Sequence, residues 1–169
     1  MTEKEPSTPA PGDPLPDFAG TTASGATISL SDLRGRPAVL FFYPKAGSPG
    51  CSLESREFAR LHARFEAAGI RVVGISVDSR EAQQRFRDDC HLPFDLVADS
   101  GGEISRRFGV LGVLGLARRT TFLVGPDGKV LEVIRTWRPG RHAEDALDRL
   151  AAERPPPQTP APSGGFERP

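Results

Sequence analysis

The chain has 169 residues, with 22 basic and 22 acidic side chains and 37% hydrophobic residues. That length allows one compact domain, and the charge balance argues against a nucleic-acid or anionic-membrane surface, both of which need clustered positive charge. No apolar run is long enough to span a bilayer, and no charged start followed by an apolar stretch marks a secretory signal, so a cytoplasmic protein is expected.

The deficit in apolar residues sits at the two ends, where 11 of the 17 prolines fall within residues 1–16 and 155–169. Residues 1–12 and 153–169 therefore read as disordered tails, around a domain at 13–152 large enough for a sizeable core. Within it, Ala26–Leu30 alternates like a small edge strand. Ala38–Tyr43 is uninterrupted apolar sequence, as expected of a strand buried on both faces. Pro49 to about Ala68 reads as a helix with Phe58, Leu61 and Phe65 as its inward stripe, ended by Gly69. Ile70–Val77 is a second β-branched run of strand length. Asp78 and Glu81 resemble a capping box for a helix reaching Asp89 or Cys90. A short strand near Phe94–Ala98 and a helix near Gly102–Phe108 follow. Thr120–Val124 and Val130–Arg135 flank the turn Gly125-Pro126-Asp127-Gly128, a hairpin signal. A last helix spans about Arg141 to Ala152, with Ala143, Leu147 and Leu150 on one face. This order implies an α/β fold whose central mixed β-sheet is flanked by helices, compatible with a thioredoxin-like fold.

The chemistry concentrates at Cys51. Ser48 suits an N-cap and Pro49 the first helical position, which places Cys51 in a first turn whose amides lack intrahelical partners. Those donors and the helix dipole favour thiolate over thiol; the alternative is a buried structural cysteine. A disulfide reductase would need a second cysteine at position 54, where Glu54 stands. A phosphatase loop would need arginine at position 57, where Glu57 stands. A Cys–His hydrolase could draw on His62, His91 or His142, and spacing singles out none. No His and Cys pair shows metal-ligand spacing, so no metal or other cofactor is expected.

Pro44-x-x-x-Ser48-x-x-Cys51 resembles the active-site signature of the peroxiredoxins, and the string from Phe42 to Glu54 is similar to their Q-type, or bacterioferritin comigratory, group. The resemblance extends to Gly12–Phe18, to Leu30–Gly35, and to Arg119–Val124 with the following turn. It implies a thioredoxin-like fold with a small N-terminal β extension, and thiol-dependent reduction of hydroperoxides. It further implies that Cys51 is the peroxidatic residue, that Ser48 and Arg119 polarise the peroxide, that Pro44 shields the thiolate, and that Glu54 orients Arg119. Arg118, on the opposite strand face, is left to solvent.

The sulfenic acid formed on Cys51 needs a second thiol. Many Q-type members carry it five residues on, where this chain has Arg56; a subgroup carries it in the following helix, about one turn before Cys90. Cys90 is therefore expected to be the resolving residue of an intramolecular disulfide, or else the end of the buried stripe Ala82-Phe86-Cys90. The implied partners are a hydroperoxide and a reductant, which is a thioredoxin, a glutaredoxin-like protein or a small thiol, acting on a monomer or homodimer. A peroxide-sensing thiol switch and a non-catalytic interaction module are the competing readings. Finally, Gly109–Leu116 carries five large aliphatics between glycines and is expected to form an apolar patch beside the pocket, or else to plug the core edge.

Overall fold

The computed structural model describes residues 6–135 and 138–152. Seven strands form one sheet: β1 (Ala19–Thr22), β2 (Thr27–Ser29), β3 (Ala38–Phe42), β4 (Arg71–Ser76), β5 (Asp95–Ala98), β6 (Thr120–Val124) and β7 (Val130–Ile134). Their order is β2-β1-β5-β4-β3-β6-β7. The pairs β3–β4 and β4–β5 are parallel, and the rest are antiparallel. The helices are α1 (Leu30–Leu33), α2 (Pro49–Arg60), α3 (His62–Ala67), α4 (Arg80–Asp89), α5 (Glu103–Arg107) and α6 (His142–Ala152).

β3 explains why its sequence is apolar throughout. Side chains alternate across a strand, so Val39 and Phe41 enter one core with Phe58, Phe65 and Leu147, while Leu40 and Phe42 enter the other with Phe108 and Phe122. The expected helix over 49–68 is interrupted at Leu61, whose φ −93° and ψ 1° separate α2 from α3. Phe58, Leu61 and Phe65 are nonetheless all buried, so the stripe survives the break.

The pattern along the chain marks no strand at β1, because Ala-Gly-Thr-Thr carries little apolar signal; only the family resemblance implies a small N-terminal β extension. A Cβ at Gly20 would lie 2.6 Å from Val97 Cγ1 of β5, so only glycine lets β1 lie this close to the strand it pairs with. The N-terminus of α4 also differs from expectation. Ser79, not Asp78, is its N-cap, accepting from the Ala82 amide, and Asp78 serves the loop before Cys51 instead.

Residues 6–12 lie in the expected N-terminal tail, yet they are laid against the domain. Thr8 Oγ1 donates to the Gly109 carbonyl at 3.0 Å, and the Gly12 amide donates to Val130 at 2.8 Å. Residues 1–5 and the C-terminal segment 153–169 lie outside the described residues.

The Gly109–Leu116 segment folds as a miniature hairpin, with Leu111 bridged to Ala117 and a turn closed by Gly115 N–H to Gly112 O at 3.0 Å. Val110 is buried, but Val113 and Leu114 stand 98% and 86% exposed at the tip. The aliphatics thus divide between core edge and surface. Among the described residues no helix is long and apolar enough to cross a membrane.

Candidate active site

β3 ends at Phe42, and residues 43–48 turn the chain into α2. Ser48 is the N-cap and Pro49 the first helical residue, so Cys51 stands in the first turn, fully buried. The amides of Gly50 and Cys51 precede any turn that could supply them a carbonyl. Their partial positive charge points at the sulfur's surroundings and favours an anion there.

Glu54 follows Cys51 by three residues and shares its helix face. Arg119 arrives from a different part of the chain. Antiparallel pairing sets Phe42 opposite Thr120, which carries Arg119, one residue earlier, to the strand end from which the cysteine loop departs. Its guanidinium forks: Nη2 donates to Cys51 Sγ at 3.2 Å and Nη1 to Glu54 Oε2 at 3.0 Å. Pairing of this kind suits arginine, whose planar donors are fixed relative to one another.

Burial pushes the Glu54 carboxyl up to about 7, against the opposing pull of the Arg119 charge. Its Oε1 has no hydrogen-bond partner among the described residues. Burial works against the Arg119 charge too, but Glu54 and Cys51 overcome it and hold the guanidinium above its ordinary value. Arg119 is therefore a permanent cation shared between Cys51 and Glu54.

The loop is held from behind. Asp78 Oδ2 accepts the Ala46 amide at 2.7 Å and the Ser76 hydroxyl at 2.6 Å. Ser48 does not cap the helix with its side chain; its hydroxyl donates to the Lys45 carbonyl at 2.9 Å, leaving the oxygen as an acceptor. Pro44 is half-buried beside Tyr43. Tyr43 is fully buried, donates to Gln83 Oε1, and is kept protonated by its burial. Gln83 in turn donates to the Val97 carbonyl at 2.9 Å.

Of the residues named from sequence, Cys51, Glu54 and Arg119 are in direct contact, and Ser48 and Pro44 belong to the same loop. His142, one of three candidate cysteine partners, lies instead behind Glu54. Its Nδ1 is 2.9 Å from Thr121 Oγ1 and 3.8 Å from Glu54 Oε2. Neither His62 nor His91 makes a hydrogen bond or ion pair with Cys51 among the described residues. A signal for His142 was available, since it stands four residues before Ala146 and eight before Leu150 on the buried stripe of α6. Gln83 carried none, because a polar side chain does not announce its burial, and the sequence signalled the burial of Tyr43 but not the hydrogen bond it makes.

Cys90 is the C-cap of α4 and only 9% exposed. It is a free thiol in the same apolar cluster as Cys51, Phe58 and Phe86. The chain closes the helix just beyond it: Leu92 N–H reaches Arg87 O at 2.9 Å and His91 N–H reaches Asp88 O at 3.2 Å. This is the paired closure that needs a left-handed residue, and His91 supplies it at φ 51°.

The profile of the AhpC/TSA family matches residues 11–133. Peroxiredoxin Q of the chloroplast of Sedum lineare is 34% identical over 142 residues, covering 82% of this chain and 76% of the relative. Among solved structures, peroxidoxin BcpB from Mycobacterium tuberculosis superposes with a TM-score of 0.81 at 37% identity, covering 87% of this chain and 99% of the other. The bacterioferritin comigratory protein of Xanthomonas campestris, studied for its alkyl peroxide reduction activity, superposes with a TM-score of 0.77 at 28% identity, covering 83% of this chain and 99% of the other.

Proposed function

The chain belongs to the AhpC/TSA family and is a peroxiredoxin, a thiol-dependent peroxidase, and we propose that Cys51 is its peroxidatic residue. The observation that carries this reading is the single guanidinium of Arg119 bridging Cys51 Sγ and Glu54 Oε2. A cation against sulfur favours the thiolate, and the same donor is placed where negative charge develops as the O–O bond breaks.

In the proposed cycle the Cys51 thiolate attacks one oxygen of ROOH. The S–O bond forms, the O–O bond breaks, and RO⁻ leaves to take a proton from solvent. Arg119 and the amides at the start of α2 stabilise the departing oxygen. Ser48 Oγ, whose own proton is committed to Lys45 O, accepts the peroxide O–H and fixes its orientation. Pro44 covers the sulfur, and Glu54 sets the pose of Arg119.

The sulfenic acid then condenses with a thiol, releasing water and forming a disulfide. Against the expected intramolecular disulfide, the closed helix end around Cys90 favours an external thiol as the resolving group, since drawing a buried, backbone-tied cysteine to within bridging distance of Cys51 would disturb that closure. The reductant is then a thioredoxin, a glutaredoxin-like protein or a small thiol in a reducing, cytoplasmic setting. Peroxide consumption by Cys51→Ser and Cys90→Ser, with a small thiol in excess, tests the assignment. Loss of consumption in the first and its retention in the second are expected; the reverse pattern overturns it.

A further inference from the structure

The surface beside Arg119 contains more positive charge than peroxide reduction requires. A cavity of about 260 Å³ opens there, lined by Arg118, Arg119 and Arg135 over a floor of Thr8, Gly109 and Val110. A second cavity of about 350 Å³ shares Thr8, Gly109 and Arg118 with the first and adds Arg106. Among the described residues, no acidic side chain lines either one. Arg106, Arg118 and Arg135 form no ion pair with another described residue.

The cleft has fixed walls. The Gly109 backbone is at φ 66°, and a Cβ there would lie 2.5 Å from the Thr8 amide. One side is therefore backbone packed on backbone, tied by the Thr8 hydroxyl. Arg118 passes close over Gly112, where an added Cβ would lie 3.7 Å from its Cγ and 3.9 Å from its Nε. Arg135 also borders a groove containing Glu132, Asp145 and Asp148, so part of its charge is offset and Arg118 carries more of the cleft's field.

Hydrogen peroxide is neutral and small, and needs neither the volume nor the charge. The second half of the cycle needs a thiol brought against Cys51, and the closed end of α4 keeps Cys90 in the core. We propose that the arginine-lined cleft is the docking subsite for the carboxylate of a low-molecular-weight thiol that resolves the Cys51 sulfenic acid, an inference that rests on Cys51 being peroxidatic. The thiol sulfur attacks Cys51 Sγ, the S–O bond breaks, and the hydroxyl leaves with the thiol proton as water. A second molecule of the thiol attacks the mixed disulfide, returns a proton to Cys51 and departs as the symmetrical disulfide, so two thiols supply the two electrons.

The test oxidises the protein with one equivalent of hydrogen peroxide, then follows its reduction by mercaptopropionate, mercaptoethanol and cysteamine at equal thiolate concentration. Wild type should be reduced about fivefold faster by the anionic thiol than by the neutral one, the scale set by two partly exposed ion pairs, and slowest by the cationic thiol. Raised salt should erase the order. Arg118→Gln with Arg135→Gln should bring the three rates together. Both positions are exposed, so the variant should fold, and its first oxidation step should stay within twofold. Equal rates in wild type, or a preference that persists in the variant, would overturn the proposal. So would an arginine dependence confined to oxidation by a carboxylate-bearing hydroperoxide. Failure of hydrogen peroxide to oxidise Cys51 at all would instead overturn the assignment beneath it.

Discussion

Replacing Arg119 with alanine removes two donors at once, the 3.2 Å contact to Cys51 and the 3.0 Å contact to Glu54. A donor aimed at developing charge is worth roughly 10²–10³ in rate. Peroxide reduction should therefore fall by about three orders of magnitude. The stability cost takes a distinctive form. Breaking a buried ion pair ordinarily costs about 3–5 kcal/mol because a charge is stranded. Glu54, already pushed up to about 7 by burial with Arg119 opposing, would rise further without the guanidinium and take a proton instead. Wild-type stability stops responding to Glu54 above about pH 7, whereas the variant continues to lose up to about 1.4 kcal/mol per pH unit there. Rapid-mixing peroxide kinetics and urea unfolding at pH 6, 7 and 8 measure both effects. Arg119→Lys keeps the charge without the fork and should fall between wild type and alanine. A rate within threefold of wild type, or a stability loss independent of pH, would refute this account of the pair.

Three further outcomes are expected. Glu54 holds its proton longer in the folded chain than at the ordinary value of 4.5, so wild-type stability should decline by up to about 3 kcal/mol as pH rises from about 4.5 to 7; urea titrations of Glu54→Gln should lack that decline. Cys90→Ser puts a hydroxyl into the apolar cluster and should cost about 1–3 kcal/mol in unfolding, while turnover with a small thiol stays within twofold in a coupled peroxide assay. Val113→Ser with Leu114→Ser should change stability by no more than about 0.5 kcal/mol, and a larger loss by thermal unfolding would show that the exposed hairpin tip is covered in solution.

Much of the sheet can be read from the sequence where burial on both faces leaves an apolar run, as in β3, or where turn chemistry marks a hairpin, as at Gly125–Gly128. The cysteine site is legible for a related reason: Ser48 and Pro49 carry local signals of a helix start, and Cys51 is placed by counting from them. Arg119 has no such signal. Its role depends on the register of Phe42 against Thr120, a pairing between segments far apart in the chain, and only the motif resemblance pointed to it. β1 was invisible because its fit to the sheet depends on what Gly20 lacks rather than on a side chain it has. Asp78 was read as a helix cap because Asp and Ser are both good caps; which of two adjacent residues caps and which turns back to the loop is decided by tertiary contacts. The pairings of Tyr43 with Gln83 and of Thr121 with His142 show the same limit, since which buried polar groups satisfy one another is decided by tertiary contacts.

The central claim is that Cys51 receives the oxygen. It is tested most directly by exposing the protein to one equivalent of hydrogen peroxide with a sulfenic-acid-trapping dione present, then locating the adduct by peptide mass spectrometry. The account predicts one adduct, on the peptide containing Cys51, and its absence from Arg119→Ala on the same timescale. An adduct on Cys90, or equal labelling of both cysteines, would contradict it.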